Sequence, residues 1–174
     1  MADYSGPAAE TEEDTLTGRY LTFLLGKETY GIEIRYVIEI IENQTITEVP
    51  EMPGYMKGII NLRGKIIPVM DVRLRFGKES RDYDDRTCVI VIDLSGIYIG
   101  LIVDSVSEVI SIPSQEISEL PSINAGQKSG YVKNIGKVSG NVILLIDCEK
   151  LLSENVLEQF DPDTLNYSVN PDNN

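Results

Sequence analysis

Short apolar runs separated by turn residues recur along the chain and predict a protein made mainly of β-strands. Residues 20–25 and 30–34 predict a first hairpin, and residues 37–42 predict a third strand. Apolar side chains fall on both faces of that third strand, which indicates that one face meets the protein's own core and the other meets something else. Residues 88–94 and 97–103 predict a second hairpin.

A tight hairpin with a cationic tip is predicted further along the first half. Two apolar runs, residues 59–62 and 66–70, flank Arg63, Gly64 and Lys65. Two runs separated by a short turn with glycine are typical of a β-hairpin, and glycine supplies the positive φ that such turns need.

The end of this hairpin carries a proline and a helix start signal. Pro68 has no N–H to donate, so we expect its strand at a sheet edge or a bulge. Asp71 has the position of an N-cap, Gly77 that of a residue closing a helix, and residues 72–76 between them predict a short helical turn.

The second half of the chain repeats the first. Residues 132–147 align without gaps with residues 56–71, and residues 100–109 align with residues 31–40. Because both pairs occur in the same order, we predict two related units in tandem. The copies differ at the hairpin tip, where Asn-Leu-Arg aligns with Lys-Val-Ser, so folding alone does not dictate these residues.

The repeat and the composition predict how the chain divides into units, linker and tails. Residues 111–130 contain two prolines and glycine and predict a long loop inside the second unit. The units are a disordered acidic tail at 1–18, a first barrel unit at about 19–77, a linker at 78–86, a second barrel unit at about 87–152, a C-terminal helix at about 153–160 and a flexible acidic tail at 161–174.

Negative charge is concentrated at the two ends. Residues 1–18 and residues 153–174 each carry five acidic and no basic residues, within a net charge of −13 for the chain. The body between them is only mildly acidic. Phosphate binding needs a basic face, so nucleic acid is not expected as a partner. No apolar run approaches the roughly 20 residues of a membrane span, so direct insertion is not expected either.

The residues that usually carry enzyme chemistry are missing or otherwise explained. The chain has no histidine, which excludes Ser-His-Asp and Cys-His machinery and the commonest metal ligand. Asp71 and Asp147 are repeated carboxylates, but N-capping explains both. Cys88 and Cys148 lie in apolar runs without metal-type spacing and are interpreted as buried, reduced thiols. We therefore predict no catalytic, cofactor or metal site.

Arg63 is the strongest candidate for a binding residue, and two interpretations of it stay open. It is either a solvated cation at an ordinary hairpin tip or a guanidinium beside exposed apolar surface, a composition enriched at protein interfaces. Asn61 satisfies turn backbone groups in the simpler interpretation. Glu39 stays open because its neighbours are apolar, whereas its repeat counterpart Glu108 is interpreted as facing solvent.

Several motifs together resemble those of the CheW family of bacterial chemotaxis coupling proteins. The resemblance covers about residues 19–157 and implies two tandem five-stranded SH3-like β-barrels with short helical turns and a C-terminal helix. The motifs that carry it are YGIEI from Tyr30, VIEI from Val37, VP from Val49, NLRG from Asn61, PV from Pro68, DVR from Asp71, VD from Val103 and LL from Leu151.

The resemblance also implies a function. Members are non-catalytic adaptors that couple the cytoplasmic tips of methyl-accepting chemoreceptors to the regulatory domain of the histidine kinase CheA. They use no cofactor, are monomers when free, and are cytoplasmic proteins recruited to membrane-associated receptor arrays. Two other classes stay on record: a generic SH3-like interaction module, which needs an exposed aromatic shelf, and a small β-barrel hydrolase, which needs an acid–base constellation.

The family's binding residues can be carried onto this chain position by position. The receptor tip is expected in an apolar groove between the barrels, and the residues implied there are Val37, Glu39, Gly58, Asn61, Arg63 and Gly64. The kinase is expected along barrel edges, with Val89 and Val91 on the second barrel, and the residues implied there are Ile41, Ile46, Val89, Val91, Ser118 and Ile123.

Overall fold

The computed structural model describes residues 16–42, 45–120 and 130–152, and within these ranges eleven strands form two sheets. One short α-helix follows the last strand of each repeat: α1 (Val72–Arg75) comes after β5, and α2 (Cys148–Leu151) comes after β11. The strands are β1 (Arg19–Leu25), β2 (Glu28–Glu33), β3 (Val37–Glu42), β4 (Met56–Leu62), β5 (Lys65–Asp71), β6 (Cys88–Leu94), β7 (Ile97–Val103), β8 (Ser105–Ser111), β9 (Ile117–Glu119), β10 (Val132–Val138) and β11 (Asn141–Ile146).

Each sheet combines strands from both sequence units. The six-stranded sheet has the order β8-β1-β2-β11-β10-β9, and the five-stranded sheet has the order β3-β6-β7-β5-β4. Parallel pairing of β2 with β11 and of β7 with β5 joins the units. The sheets therefore do not follow the predicted unit boundary at 78–86, because each unit's first hairpin joins the sheet completed by the other unit. The mainly β, two-sheet fold is confirmed, and the SH3-like form of each barrel stays a prediction.

Three buried apolar clusters form the core of the protein. The largest combines side chains of both sheets, such as Phe23 and Ile32 from one and Ile90 and Leu101 from the other. A second cluster lies within the five-stranded sheet, and a third, with Ile143, lies within the six-stranded sheet. The central hairpins bury both of their faces, which explains why they are almost continuously apolar in sequence.

The local signals of the repeat are confirmed. Gly64 and Gly140 have φ of 85° and 80° at the two hairpin turns. Asp71 caps α1 by accepting from the N–H of Leu74, and Asp147 caps α2 in the same way. Both cysteines are free and buried, as expected, and burial raises the pKa of the Cys148 thiol to about 12.

Two local predictions need correction. Pro68 lies in β5, which is flanked by β7 and β4, so the edge alternative was wrong, although the pairing of β4 with β5 has an irregularity directly after Pro68, where Met56 pairs with Met70 and Gly58 with Val69. The position tolerates proline because the parallel pairing with β7 begins one residue later, at Val69. The predicted loop at 111–130 contains a 3-10 turn, Ser114–Glu116, followed by β9, whose three residues are too few to show a period of two.

The predicted tails at 1–18 and 161–174 and the helix at 153–160 lie outside the described residues, except for residues 16–18. In the part of the chain that is described, no helix is long and apolar enough to cross a membrane.

Candidate protein-binding surface

The tip of the β4–β5 hairpin is a turn in which two consecutive residues have positive φ. Arg63 has φ of 51° and Gly64 follows it at 85°. A non-glycine residue in this region is strained unless local bonds support it. Asn61 provides that support, because its Oδ1 accepts from the Gly64 N–H at 2.9 Å. The prediction that Asn61 satisfies turn backbone groups is confirmed.

Arg63 and Glu39 form an ion pair at this tip. Nη1 of Arg63 donates to Oε1 of Glu39 at 3.2 Å, and Nη2 donates to Oε2. The Arg63 side chain stays 71% exposed and that of Glu39 is 28% exposed. Because β3 and β4 are the two edge strands of the five-stranded sheet, the pair joins its opposite edges.

Gly58 shapes the backbone near the start of β4, at the end of the strand away from the tip. It is buried with φ of 143°, and a Cβ built there would lie 2.0 Å from the carbonyl oxygen of Thr47. Thr47 exchanges two backbone hydrogen bonds with Ile59, at 2.8 Å and 2.9 Å. The glycine therefore permits the segment after β3 to pair with β4, which helps to close the sheet.

Strand β3 presents apolar side chains on both faces, as the sequence predicted. On one face Val37 packs against the largest core cluster and Ile41 against the cluster within the sheet. On the other face Ile38 is 49% exposed and Ile40 is 42% exposed. Two large branched side chains on the outside of an edge strand are an uncovered apolar patch of the kind found at protein contacts.

This outer face of β3 borders a cleft between the two sheets. The cleft has a volume of about 610 Å³, and Ile40 and Glu42 line one side while Ser105 and Val106 of β8 line the other. The predicted receptor residues are thus distributed over two places. Asn61, Arg63 and Gly64 lie at the hairpin tip with Glu39, while the groove itself is lined by the alternate residues of β3.

Sequence reasoning did not select Ile38 and Ile40 as site residues. The available signal was the apolar character of both faces of residues 37–42, which requires a neighbour on each side. Period-two alternation assigns Ile38 and Ile40 to the face opposite Glu39, and the burial of Ile41 decides which face points outward.

The residues expected at the kinase lie in different environments. Ile41 and Ile46 are partly buried against the cluster within the five-stranded sheet. Ser118 is exposed on β9 of the other sheet, where it pairs with Ile135. Ile123 lies outside the described residues.

Val89 and Val91 do not lie on a second, separate barrel. They belong to β6, which pairs directly with β3, so that Val89 is opposite Ile41 and Val91 is opposite Glu39. Their side chains are 6% and 0% exposed. The expected position was wrong because the β6–β7 hairpin crosses into the sheet begun by the first unit. Their side chains fill the core beneath Ile41 and Ile46.

A charged cluster fixes the segment between β5 and β6. Arg73 donates to Asp104 through Nε and Nη2, each at 2.7 Å, and Arg81 donates to the same carboxylate at 3.0 Å. Burial disfavours ionisation of Asp104, but the bonds from Arg73 and the Gly26 N–H, with the charges of both arginines, outweigh it and hold the pKa of Asp104 below its usual value.

A small groove with an aromatic wall lies on another part of the molecule. Tyr30, Phe76 and Tyr131 line it, with a volume of about 310 Å³, and the Phe76 and Tyr131 rings stack at 5.5 Å. The sequence showed no such shelf because the three residues come from distant segments. Their meeting depends on how the sheets pack.

Comparison with known proteins identifies the family. The model of the CheW-like domain matches residues 19–156. The chain belongs to the CheW family. Chemotaxis protein CheW of Klebsiella aerogenes is 36% identical over 140 residues, which cover 80% of this chain and 84% of that protein. Chemotaxis protein CheW of Helicobacter pylori is 28% identical over 86% of this chain and 89% of its own length.

A solved CheW structure agrees with the fold. The scaffolding protein TtCheW from Thermoanaerobacter tengcongensis superposes with a TM-score of 0.74 at 37% identity, covering 80% of this chain and 94% of that one. The resemblance noted from the motifs is therefore confirmed, and the chain is a CheW-like scaffold or adaptor protein of chemotaxis.

Proposed function

We propose that this CheW-family chain couples the cytoplasmic tips of chemoreceptors to the histidine kinase CheA and that it catalyses no reaction itself. The observation that carries the proposal is the exposed Arg63–Glu39 pair. The repeat counterparts, Ser139 and Glu108, contain no cation, so the shared fold does not require one at this turn. A charged pair that folding does not need, on the edge strand whose opposite face carries the exposed Ile38 and Ile40, is available for recognition.

The receptor tip is proposed to pack along β3. Ile38 and Ile40 supply apolar contacts for a helix, and the exposed guanidinium of Arg63 supplies charge-assisted hydrogen bonds that fix its register. The cleft beside Ile40, bounded by Val106, extends this surface to the second sheet. Val37 and Gly58 contribute from below by supporting the strand and the turn.

The kinase regulatory domain is proposed to bind at two places, the end of β3 with the segment after it and β9, an edge strand of the other sheet. Ile41 and Ile46 lie at the first place, over the core filled by Val89 and Val91, and Ser118 lies at the second. Ile123, outside the described residues, is assigned to the kinase from the family resemblance alone. The kinase contact at Ser118 is then separate from the receptor contact at Arg63. The same proposal makes the chain a monomer when free, without a cofactor, and a cytoplasmic protein recruited to membrane-associated receptor arrays.

The receptor arm is tested by titrating a receptor-tip fragment into Arg63→Glu. Reversal removes the charge-assisted bonds and adds repulsion, so affinity should fall roughly thirty- to a thousand-fold. Lys65→Glu, a reversal two residues away on the same hairpin, is the matched control and should cost much less. Receptor affinity near that of the unchanged protein in folded Arg63→Glu would leave Arg63 a solvated turn residue and refute this receptor surface.

The kinase arm is tested by titrating the CheA regulatory domain into Ser118→Arg. Ser118 is exposed, so the variant should fold normally while binding the kinase less tightly and the receptor fragment unchanged. Arg63→Glu should show the reverse selectivity. Loss of both partners in either folded variant would contradict separate surfaces.

A further inference from the structure

The two repeated hairpins end in the same turn but are surrounded by side chains of different size. At the β4–β5 hairpin the chain has large residues, and at the β10–β11 hairpin it has small ones in the same register. The equivalent pairs are Leu62 and Val138, Arg63 and Ser139, Lys65 and Asn141, and Tyr98 and Thr29.

In the five-stranded sheet the large side chains fill the space beside the turn. Arg63 pairs with Glu39, Nζ of Lys65 lies 3.3 Å from the centroid of the Tyr98 ring, and Leu62 packs with Tyr98 against the core. These are an ion pair, a cation–π contact and an apolar contact, made within one chain.

In the six-stranded sheet the corresponding space is a cleft. Its volume is about 680 Å³, within the usual range for ligand sites. It runs between β8 and the β10–β11 hairpin, and Val142 on its rim is 52% exposed. The lining includes Thr29, Val138, Ser139 and Asn141, which are all four of the small residues, together with Glu108.

Glu108 is the counterpart of Glu39 and has a fixed backbone. Oγ1 of Thr22 donates to the Glu108 carbonyl at 2.8 Å and accepts from its N–H at 3.1 Å. Among the described ranges no lysine or arginine pairs with its carboxylate. The other carboxylate of the cleft, Glu28, already accepts from Tyr30 and Lys78. Glu108 is therefore the acceptor that the cleft presents to an incoming cation.

We propose that this cleft binds a segment of another protein that carries an arginine next to an aromatic or branched aliphatic side chain. The segment supplies from outside what Arg63, Leu62 and Tyr98 supply within the first sheet. Its guanidinium pairs with Glu108, and its apolar neighbour packs against Ile110, Val138 and Val142. This site is on the opposite sheet from Arg63 and is independent of the receptor surface proposed above.

The test uses the capped peptide acetyl-Leu-Arg-Tyr-amide as a probe and the same peptide with citrulline in place of arginine as its neutral control. Binding to the full chain is followed by backbone amide NMR shifts. We expect the arginine peptide to shift Ser107, Glu108, Ser139 and Val142, and the citrulline peptide to bind about five- to tenfold more weakly because it lacks the charge.

Two variants locate the interaction. Glu108→Gln should weaken the arginine peptide by the same factor, while Glu119→Gln, a carboxylate on exposed β9, should not. Ser139→Arg should block the peptide, because the new arginine can pair with Glu108 inside the chain. The equivalent turn of the β4–β5 hairpin already holds an arginine, Arg63, at φ of 51°. Thermal melting of Ser139→Arg should be unchanged or higher, which separates blocking from unfolding.

Several results would overturn the proposal. These are equal binding of the two peptides, full peptide affinity in folded Glu108→Gln, or shifts confined to residues outside the cleft. Self-association of the chain that disappears in Glu108→Gln would assign the cleft to a second copy and would likewise refute another protein as its occupant. Receptor-fragment affinity should be unaffected by Glu108→Gln, so this test and the test of Arg63 fail independently.

Discussion

Arg63, in a left-handed backbone conformation on one edge of the five-stranded sheet, pairs with Glu39 on the strand at the opposite edge. The pair closes the seam between the edges, yet solvent reaches most of the arginine. Exposed ion pairs contribute roughly 0 to 1 kcal/mol because water screens them and two long side chains must be ordered. The pair is thus better suited to positioning a guanidinium than to holding the sheet together.

A double-mutant cycle measures that contribution. We expect Arg63→Ala, Glu39→Ala and the double variant to give a coupling free energy below about 1 kcal/mol in urea unfolding. Ser139→Ala at the other hairpin tip is the control and should be close to neutral. A coupling well above this limit would make the pair a structural element of the sheet.

The two turn glycines should respond alike to a methyl group. Gly64 and Gly140 have φ of 85° and 80°, and nothing lies within 4 Å of a Cβ at either position. The cost of Gly64→Ala or Gly140→Ala is therefore backbone strain alone, about 1 kcal/mol in the free energy of unfolding. Neutral behaviour of both variants in urea unfolding would show that the turns relax.

Gly58 should be far less tolerant than the turn glycines. An added Cβ would lie 2.0 Å from the Thr47 oxygen, and backbone atoms cannot move away as a flexible side chain can. We expect Gly58→Ala to destabilise the protein by more than about 3 kcal/mol. Gly54→Ala, with nothing within 4 Å, is the control. A small loss for Gly58→Ala would mean that the Thr47 to Ile59 pairing is dispensable.

Local signals predicted the hairpins, the turns and the helix caps, because a few neighbouring residues determine each of them. They did not predict which sheet each hairpin joins. That depends on parallel pairs such as Thr29 with Ile143, which are more than a hundred positions apart. For the same reason the sequence placed Val89 on a second barrel, away from β3, and missed the outward position of Ile40, although it singled out Arg63 and Glu39.

Arg73 and Arg81 both donate to the Asp104 carboxylate but should contribute unequally to the free energy of unfolding. Arg73 makes two 2.7 Å bonds to Asp104 with side chains only 16% and 11% exposed, whereas the side chain of Arg81 is 51% exposed. Removing Arg73 leaves a largely buried carboxylate with only the exposed Arg81 and the Gly26 N–H as partners, so Arg73→Ala should cost roughly 3 kcal/mol in urea unfolding. Arg81→Ala should cost less than about 1 kcal/mol. Similar losses would show that solvent screens both contacts.

The same cluster makes stability depend on pH. The pKa of Asp104 in the folded protein lies below its usual value of 3.8. At a pH between the folded-state and unfolded-state pKa values, the unfolded chain therefore binds the proton more readily than the folded protein does. Its contribution is complete well above 3.8 and is lost as the pH falls through the folded-state pKa. Urea unfolding between about pH 2.5 and 7 should therefore show a steeper acid loss in the unchanged protein than in Asp104→Asn, although the variant is less stable at pH 7. An equal slope in Asp104→Asn would assign the acid loss to other carboxylates.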